Sequence, residues 1–166
     1  MAIAVGDRVP DVEVRTMGPD GPQSVRTGEV LGRGRVVLFA VPGAFTPGCS
    51  RIHLPGYVQN LDRLRTSGVD TVACVAVNDP WVMQAWADNQ GAEGILMLAD
   101  GSADFARAMG LDADMSGYGL GVRSRRYSAV VEDGVLTSLE VEPKGGVDVS
   151  SCDAMLTRLG AASGST

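Results

Sequence analysis

The sequence predicts a three-layer α/β protein, and three observations carry that expectation. Apolar runs of strand length alternate with segments of helical periodicity. The runs are rich in β-branched residues, as strands buried on both faces are. Near the C-terminal end, an Asp-Gly pair joins two further strand-like runs. With 166 residues, 45% apolar and 20% charged, the chain has the length and composition of one globular domain. That domain is read as spanning residues 1–166, with a flexible tail at 160–166.

The elements follow in order. Val36 to Val41 is a continuous apolar run, expected as a buried strand. Ile52, Tyr57, Val58, Leu61 and Leu64 recur at near-helical spacing until Gly68 ends the pattern. Val69 to Val77 is the second buried strand. Asn78-Asp79-Pro80 supplies a cap and an early helical proline, so Trp81 to Asn89 is expected as a helix. Ile95 to Ala99 is the third strand, and Ser102 is expected to cap a short helix through Met109. Tyr127 to Val131 and Val135 to Val141 flank Asp133-Gly134 as a hairpin, and Ser150 or Ser151 opens a final helix through Leu159. Two Gly-rich stretches, Gly18 to Gly21 and Gly117 to Gly121, read as loose loops. A parallel βαβ core with an antiparallel hairpin at one side suits a thioredoxin-like fold, a mixed central sheet flanked by helices.

Charge and cysteine usage narrow the function classes. Net charge is -6, and the longest basic run is Arg123-Ser124-Arg125-Arg126, so no face for neutralising nucleic-acid phosphates is expected. No stretch reaches the length of a membrane span, and the first residues lack a basic n-region, so the expected location is the cytoplasm. Cys49, Cys74 and Cys152 are an odd number at wide spacing, which is not a disulfide framework of the secreted kind. Each is then a small buried hydrophobe or a reactive thiol.

The residues that carry chemistry are Pro42-Gly43-Ala44-Phe45-Thr46-Pro47-Gly48-Cys49-Ser50. They join the end of a buried parallel strand to the start of a helix, where open α/β sheets bind ligands. Unpaired N–H groups and the helix dipole favour negative charge in that first turn, so a thiolate at Cys49 is stabilised there. Pro42 and Pro47 stiffen the loop, and the backbone N–H groups of Gly48 and Cys49 are candidates to bind an incoming oxygen.

The pattern Pro-x-x-x-Thr-x-x-Cys, filled by Pro42, Thr46 and Cys49, resembles the active-site signature of the peroxiredoxins. The fuller PGAFTPGCS with His53-Leu54-Pro55-Gly56 is similar to the atypical subgroup that includes human type-five and plant type-two enzymes. Val77 to Met83 with Trp86, Leu98-Ala99-Asp100 and Arg126-Tyr127-Ser128 extend the resemblance from Val5 to Leu159. It implies a thiol-dependent peroxidase acting on hydroperoxides without a cofactor, with Cys49 as nucleophile. Thr46 would be its hydrogen-bonding hydroxyl, Arg126 the stabilising cation and Pro42 the shield from water. It further implies an external reductant (glutathione, glutaredoxin or thioredoxin) and a homodimer. Cys152 lies near the place of the type-five resolving cysteine, about three residues later, so a disulfide with Cys49 and a one-cysteine cycle both stay open.

Other readings stand beside these. Arg123 or Arg125 could take the part of Arg126 in a slipped alignment. His53 lies four residues after Cys49 and is expected in a supporting hydrogen-bonding or packing role. Cys74, inside Val72 to Val77, is expected in the core. Asp112-x-Asp114-x-Ser116-Gly117 begins like a calcium loop but meets Arg123 where a Glu is needed, and the Cys and His spacing suits no structural zinc site. A thioredoxin-type oxidoreductase would carry Cys-x-x-Cys, and here Thr46 fills the first place.

Overall fold

The computed structural model describes residues 2–144 and 146–163. Its centre is the parallel trio β3 (Arg35–Ala40), β4 (Thr71–Ala76) and β5 (Leu96–Ala99). Antiparallel strands extend it on both sides. β8 (Tyr127–Glu132) and β9 (Val135–Val141) lie beyond β3, while β1 (Glu13–Gly18) and β2 (Gly21–Arg26) lie beyond β5. The seven strands run in the order β2-β1-β5-β4-β3-β8-β9. The mixed sheet and its flanking helices are as the sequence predicts.

Alternation along β3 divides the core between two faces. Val37, Phe39 and Val41 belong to one cluster with α2 (Leu54–Gln59), α3 (Leu61–Thr66), α4 (Pro80–Gln90) and α6 (Cys152–Ser163). Val36, Leu38 and Ala40 belong to the other, with Phe105 and Met109 of α5 (Asp104–Met109). A side-chain period of two explains why an all-apolar strand serves both layers. The hairpin turn lies at Asp133 and Gly134, both at positive φ (49° and 86°), a primed turn that matches the strand twist.

Several elements differ from expectation. Gly18 to Gly21 is no loose loop but the tight turn of the β1–β2 hairpin. β2 alternates no apolar face, since most of its side chains are exposed at the sheet edge. Gly117 to Gly121 caps a small ribbon of β6 (Asp112–Asp114) and β7 (Val122–Ser124). Ser102 does not cap α5; the Asp100 carboxylate does, accepting from the N–H groups of Phe105 and Ala106 at 3.0 and 2.9 Å. The single helix expected from Ile52 to Leu64 is segmented, with a break at Asn60. The final helix runs past Leu159 to Ser163, so the tail expected at 160–166 begins as helix; residues 164–166 lie outside the described residues. Ser151 rather than Ser150 caps that helix, its Oγ accepting from Ala154 N–H at 3.1 Å.

Candidate active site

β3 ends at Ala40, and the chain turns over the C-terminal edge of the sheet before entering a helix whose first residues are 47–48. Thr46 is the N-cap, its carbonyl accepting from Ser50 N–H at 2.9 Å, and Pro47 takes the first helical position, where a missing N–H costs nothing. Cys49 therefore stands in the first turn. Among the described residues the N–H groups of Gly48 and Cys49 have no acceptor, which leaves two donors beside Sγ. From Cys49 to His53 the helix widens into a π-turn before tightening into α2. Such insertions shift one side chain around the helix axis and are frequent at functional sites. The loop is held by Asn78, whose side-chain oxygen accepts from Ala44 N–H at 2.9 Å. Phe45 is exposed at φ 66°, a left-handed conformation that is strained for a bulky residue.

Two donors converge on Sγ. Thr46 Oγ1 lies 2.9 Å away and Arg126 Nη2 3.2 Å away. Thr46 Oγ1 also lies 2.7 Å from Gly43 O, and one hydroxyl has one hydrogen. When it donates to the Gly43 carbonyl, a lone pair faces Sγ. When it rotates to donate to sulfur, it stabilises a thiolate. Gly48 makes the arginine contact possible, because a Cβ there would meet Arg126 Nη2 at 3.1 Å. Arg126 is 77 residues from Cys49 in sequence, yet antiparallel pairing of Ala40 with Tyr127 puts it directly across from the loop. Arg123 instead reaches the carbonyls of Leu120 and Pro42 at 2.9 and 3.3 Å, and Arg125 is exposed. The register thus selects Arg126.

His53 holds the arginine from behind. Its Nδ1 is 2.9 Å from Arg126 Nη1, and its Nε2 is 3.0 Å from Ser150 O. A guanidinium only donates and a carbonyl only accepts, so Nδ1 is bare and Nε2 carries the hydrogen. His53 is fully buried, and burial together with the Arg126 charge lowers its pKa to about 3. A neutral imidazole between a cation and a carbonyl orients; at neutral pH it holds no proton to give at Nδ1. Phe39 stacks on Tyr57 at 4.0 Å and touches the His53 ring, and Tyr57 donates to Ser150 O at 2.9 Å. The circle closes through Glu142. Its N–H donates to Arg126 O at 2.9 Å, and its carboxylate accepts from Ser150 N, Ser150 Oγ and Asp148 N. Burial works to raise the Glu142 pKa, but those donors outweigh it and hold the carboxylate below its usual range.

The predicted residues thus fall into two groups. Pro42, Thr46, Gly48, Cys49, His53 and Arg126 are brought together. Cys152 lies in the same apolar cluster as Cys49 but shares no hydrogen bond with these residues among the described ones. It is buried at the start of α6 against Gly56, where a Cβ would lie 3.7 Å from its own. Burial, with Asp153 nearby, pushes the Cys152 thiol up to about 12, which disfavours the thiolate. Cys74 is wholly buried on β4, and burial raises its pKa well above the usual thiol value. Asn78, Tyr57, Glu142 and Ser150 were not legible as site residues, since nothing local in their sequence ties them to Cys49.

A buried cysteine in the first turn of a helix, flanked by a hydroxyl and a fixed guanidinium, defines a thiol-chemistry site on a thioredoxin-like fold. The Redoxin family model matches residues 4–156. The chain is 45% identical over 163 residues to Peroxiredoxin-2E-2, chloroplastic, of Oryza sativa subsp. japonica, covering 95% of this chain and 72% of that one. It is 40% identical over 159 residues to Peroxiredoxin-2B of Arabidopsis thaliana, covering 95% and 98%. Reduced Prx3 of Vibrio vulnificus in complex with H2O2 superposes with a TM-score of 0.91 at 45% identity, over 95% and 99% of the two chains. Peroxiredoxin 5 of Alvinella pompejana does so with a TM-score of 0.85 at 36% identity, over 96% and 99%. The chain belongs to the peroxiredoxins, enzymes that reduce peroxides at the expense of thiols.

Proposed function

We propose that this peroxiredoxin reduces hydrogen peroxide and small alkyl hydroperoxides at Cys49 and is regenerated by an external thiol system. The observation that carries the reading is the convergence of Thr46 Oγ1 and Arg126 Nη2 on Cys49 Sγ at a helix start. The Cys49 thiolate attacks the terminal peroxide oxygen, the O–O bond breaks, and the departing RO⁻ takes up a proton. Sulfur leaves the step as a sulfenic acid. Thr46 and the Gly48 and Cys49 N–H groups would hold the attacked oxygen, while Arg126 balances charge on sulfur and the leaving oxygen. Pro42 screens the site from water.

Resolution is read as a one-cysteine cycle. A thiol displaces hydroxide from the sulfenic sulfur, which leaves as water, and a second thiol releases the disulfide. The raised pKa of the buried Cys152 thiol supports this over an internal disulfide. Glutathione, glutaredoxin or thioredoxin would be the reductant, in a reducing compartment read as the cytoplasm. A homodimer is supported by two exposed large apolar residues, Phe45 on the loop after β3 and Trp81 in the first turn of α4.

Intact mass after one equivalent of H2O2, with and without a sulfenic-acid trap, tests the reading. The expected product is one trapped oxygen per chain, lost in Cys49→Ser. Peroxide turnover by Cys49→Ser, with Cys74 and Cys152 still present, overturns the assignment.

A further inference from the structure

Beside the Cys49 site a cavity of about 350 Å³ opens, lined in part by Pro42 and Arg126. Its other charged side chains are Arg125, Lys144 and Glu142. In a chain of net charge -6, this is a local excess of cations. The three cations are not equivalent. Arg126 is spent on Sγ and His53, and Glu142 is spent on Ser150 and Asp148. Arg125 and Lys144 are exposed, and among the described residues neither side-chain charge has an ion-pair or hydrogen-bond partner. The backbone of Arg125 is nevertheless fixed, its N–H donating to Leu111 O at 2.7 Å.

We infer that Arg125 and Lys144 receive the carboxylate of a low-molecular-weight thiol that resolves the Cys49 sulfenic acid. The inference rests on the peroxidase cycle proposed above and names the substrate class of its second half. A hydrogen peroxide molecule is satisfied by Thr46, Arg126 and backbone donors and has no group that reaches this cavity. The thiol is larger, arrives after the peroxide product has left, and must place its sulfur against Sγ. A cavity that shares Arg126 with the Cys49 site, with Arg125 and Lys144 in its lining, suits a thiol that carries a carboxylate a few bonds from its sulfur. The thiolate sulfur bonds to Sγ, the Sγ–O bond breaks, and hydroxide leaves with a proton as water, giving a mixed disulfide. A second equivalent of the same thiol restores Cys49 and departs as its own disulfide.

The test separates the two half-reactions. Wild type and Arg125→Gln/Lys144→Gln are each oxidised with one equivalent of H2O2, and the rate of that step is recorded. Each sulfenic acid is then mixed with glutathione, its neutral ethyl ester, or 2-mercaptoethanol. Comparing one thiol across two proteins cancels its intrinsic reactivity. The double variant should react about five- to tenfold more slowly with glutathione, and within about twofold with 2-mercaptoethanol. The wild-type preference for glutathione over its ester should shrink at high salt. Arg125→Glu/Lys144→Glu, equally exposed, should deepen the glutathione defect. An unchanged glutathione rate, or an equal loss for all three thiols, overturns the inference. So does a wild-type preference for a carboxylate-bearing hydroperoxide that the double variant loses, which would assign the cations to the peroxide instead. Failure of the wild type to form a sulfenic acid would defeat the peroxidase reading first, and is seen before any thiol is added.

Discussion

Replacing Arg126 tests the site most directly, because its guanidinium makes two contacts with two different nitrogens. Nη2 faces Cys49 Sγ at 3.2 Å and Nη1 faces His53 Nδ1 at 2.9 Å. A hydrogen bond to a charged group contributes about 1.5–3 kcal/mol, or roughly 10- to 150-fold in rate when it is made to the reacting anion. The same cation also meets the charge that develops on the leaving oxygen, where loss of a preorganised donor costs about 10²–10³-fold. Arg126→Ala should therefore slow sulfenic acid formation by about 10²–10³-fold. Arg126→Lys keeps the charge, but one ammonium cannot span Sγ and Nδ1 as the fork does, so about tenfold should remain lost. Stopped-flow fluorescence reads the step, since Trp86 Nε1 donates at 2.9 Å to Ser50 Oγ, beside the oxidised cysteine. An Arg126→Ala enzyme within about threefold of wild type, with an unchanged circular dichroism spectrum, would falsify the electrostatic argument.

Three further outcomes follow from the same geometry. Thr46→Val, which keeps the shape and removes the hydroxyl, should slow peroxide reduction by about 10- to 100-fold, whereas Thr46→Ser should stay within about threefold; equal rates for the two variants would show that the hydroxyl is idle. Below pH 6.5 the unfolded chain protonates His53 while the folded chain, with its pKa at about 3, does not. Stability is therefore intact above pH 6.5 and falls as pH drops toward 3, by about 2–3 kcal/mol between pH 6.5 and 4.5. Urea denaturation of His53→Gln should show a flatter dependence on pH, and an identical slope would contradict the buried neutral imidazole. Cys152→Ala should retain most thiol-supported turnover, and peptide maps of peroxide-treated wild type should lack a Cys49–Cys152 link; that link in high yield would overturn the one-cysteine cycle.

The glutathione arm and the Arg126 series are independent. Arg126 acts on the peroxide step, where the developing charges lie within hydrogen-bond reach. Arg125 and Lys144 act on the step that follows, through charge in the lining of a neighbouring cavity. Rates measured separately for the two half-reactions keep their effects apart.

What the sequence determined was local. Pro47, Gly48 and Cys49 follow Thr46 without interruption, so capping rules alone place the cysteine in the first turn, and the i, i+3 spacing brings the hydroxyl to Sγ. The β-branched runs of β3 and β4 announce buried parallel strands, and Asp133-Gly134 announces its turn, because each depends on neighbours in the chain. β1, β2 and the β6–β7 ribbon escaped notice for the opposite reason. The edge strand β2 carries no apolar alternation, and in its neighbour β1 only Val14 and Thr16 are buried. Tertiary structure alone decided the rest of the site. Pairing of Ala40 with Tyr127 selects Arg126 over Arg123 and Arg125, and a slip of one residue would turn a different side chain to Cys49. The His53 tautomer follows from a donor on β8's flank and an acceptor before α6, 73 and 97 residues away. Cys152, too, is set by packing: the sequence left its part open, and only the docking of α6 on Gly56 shows what surrounds it.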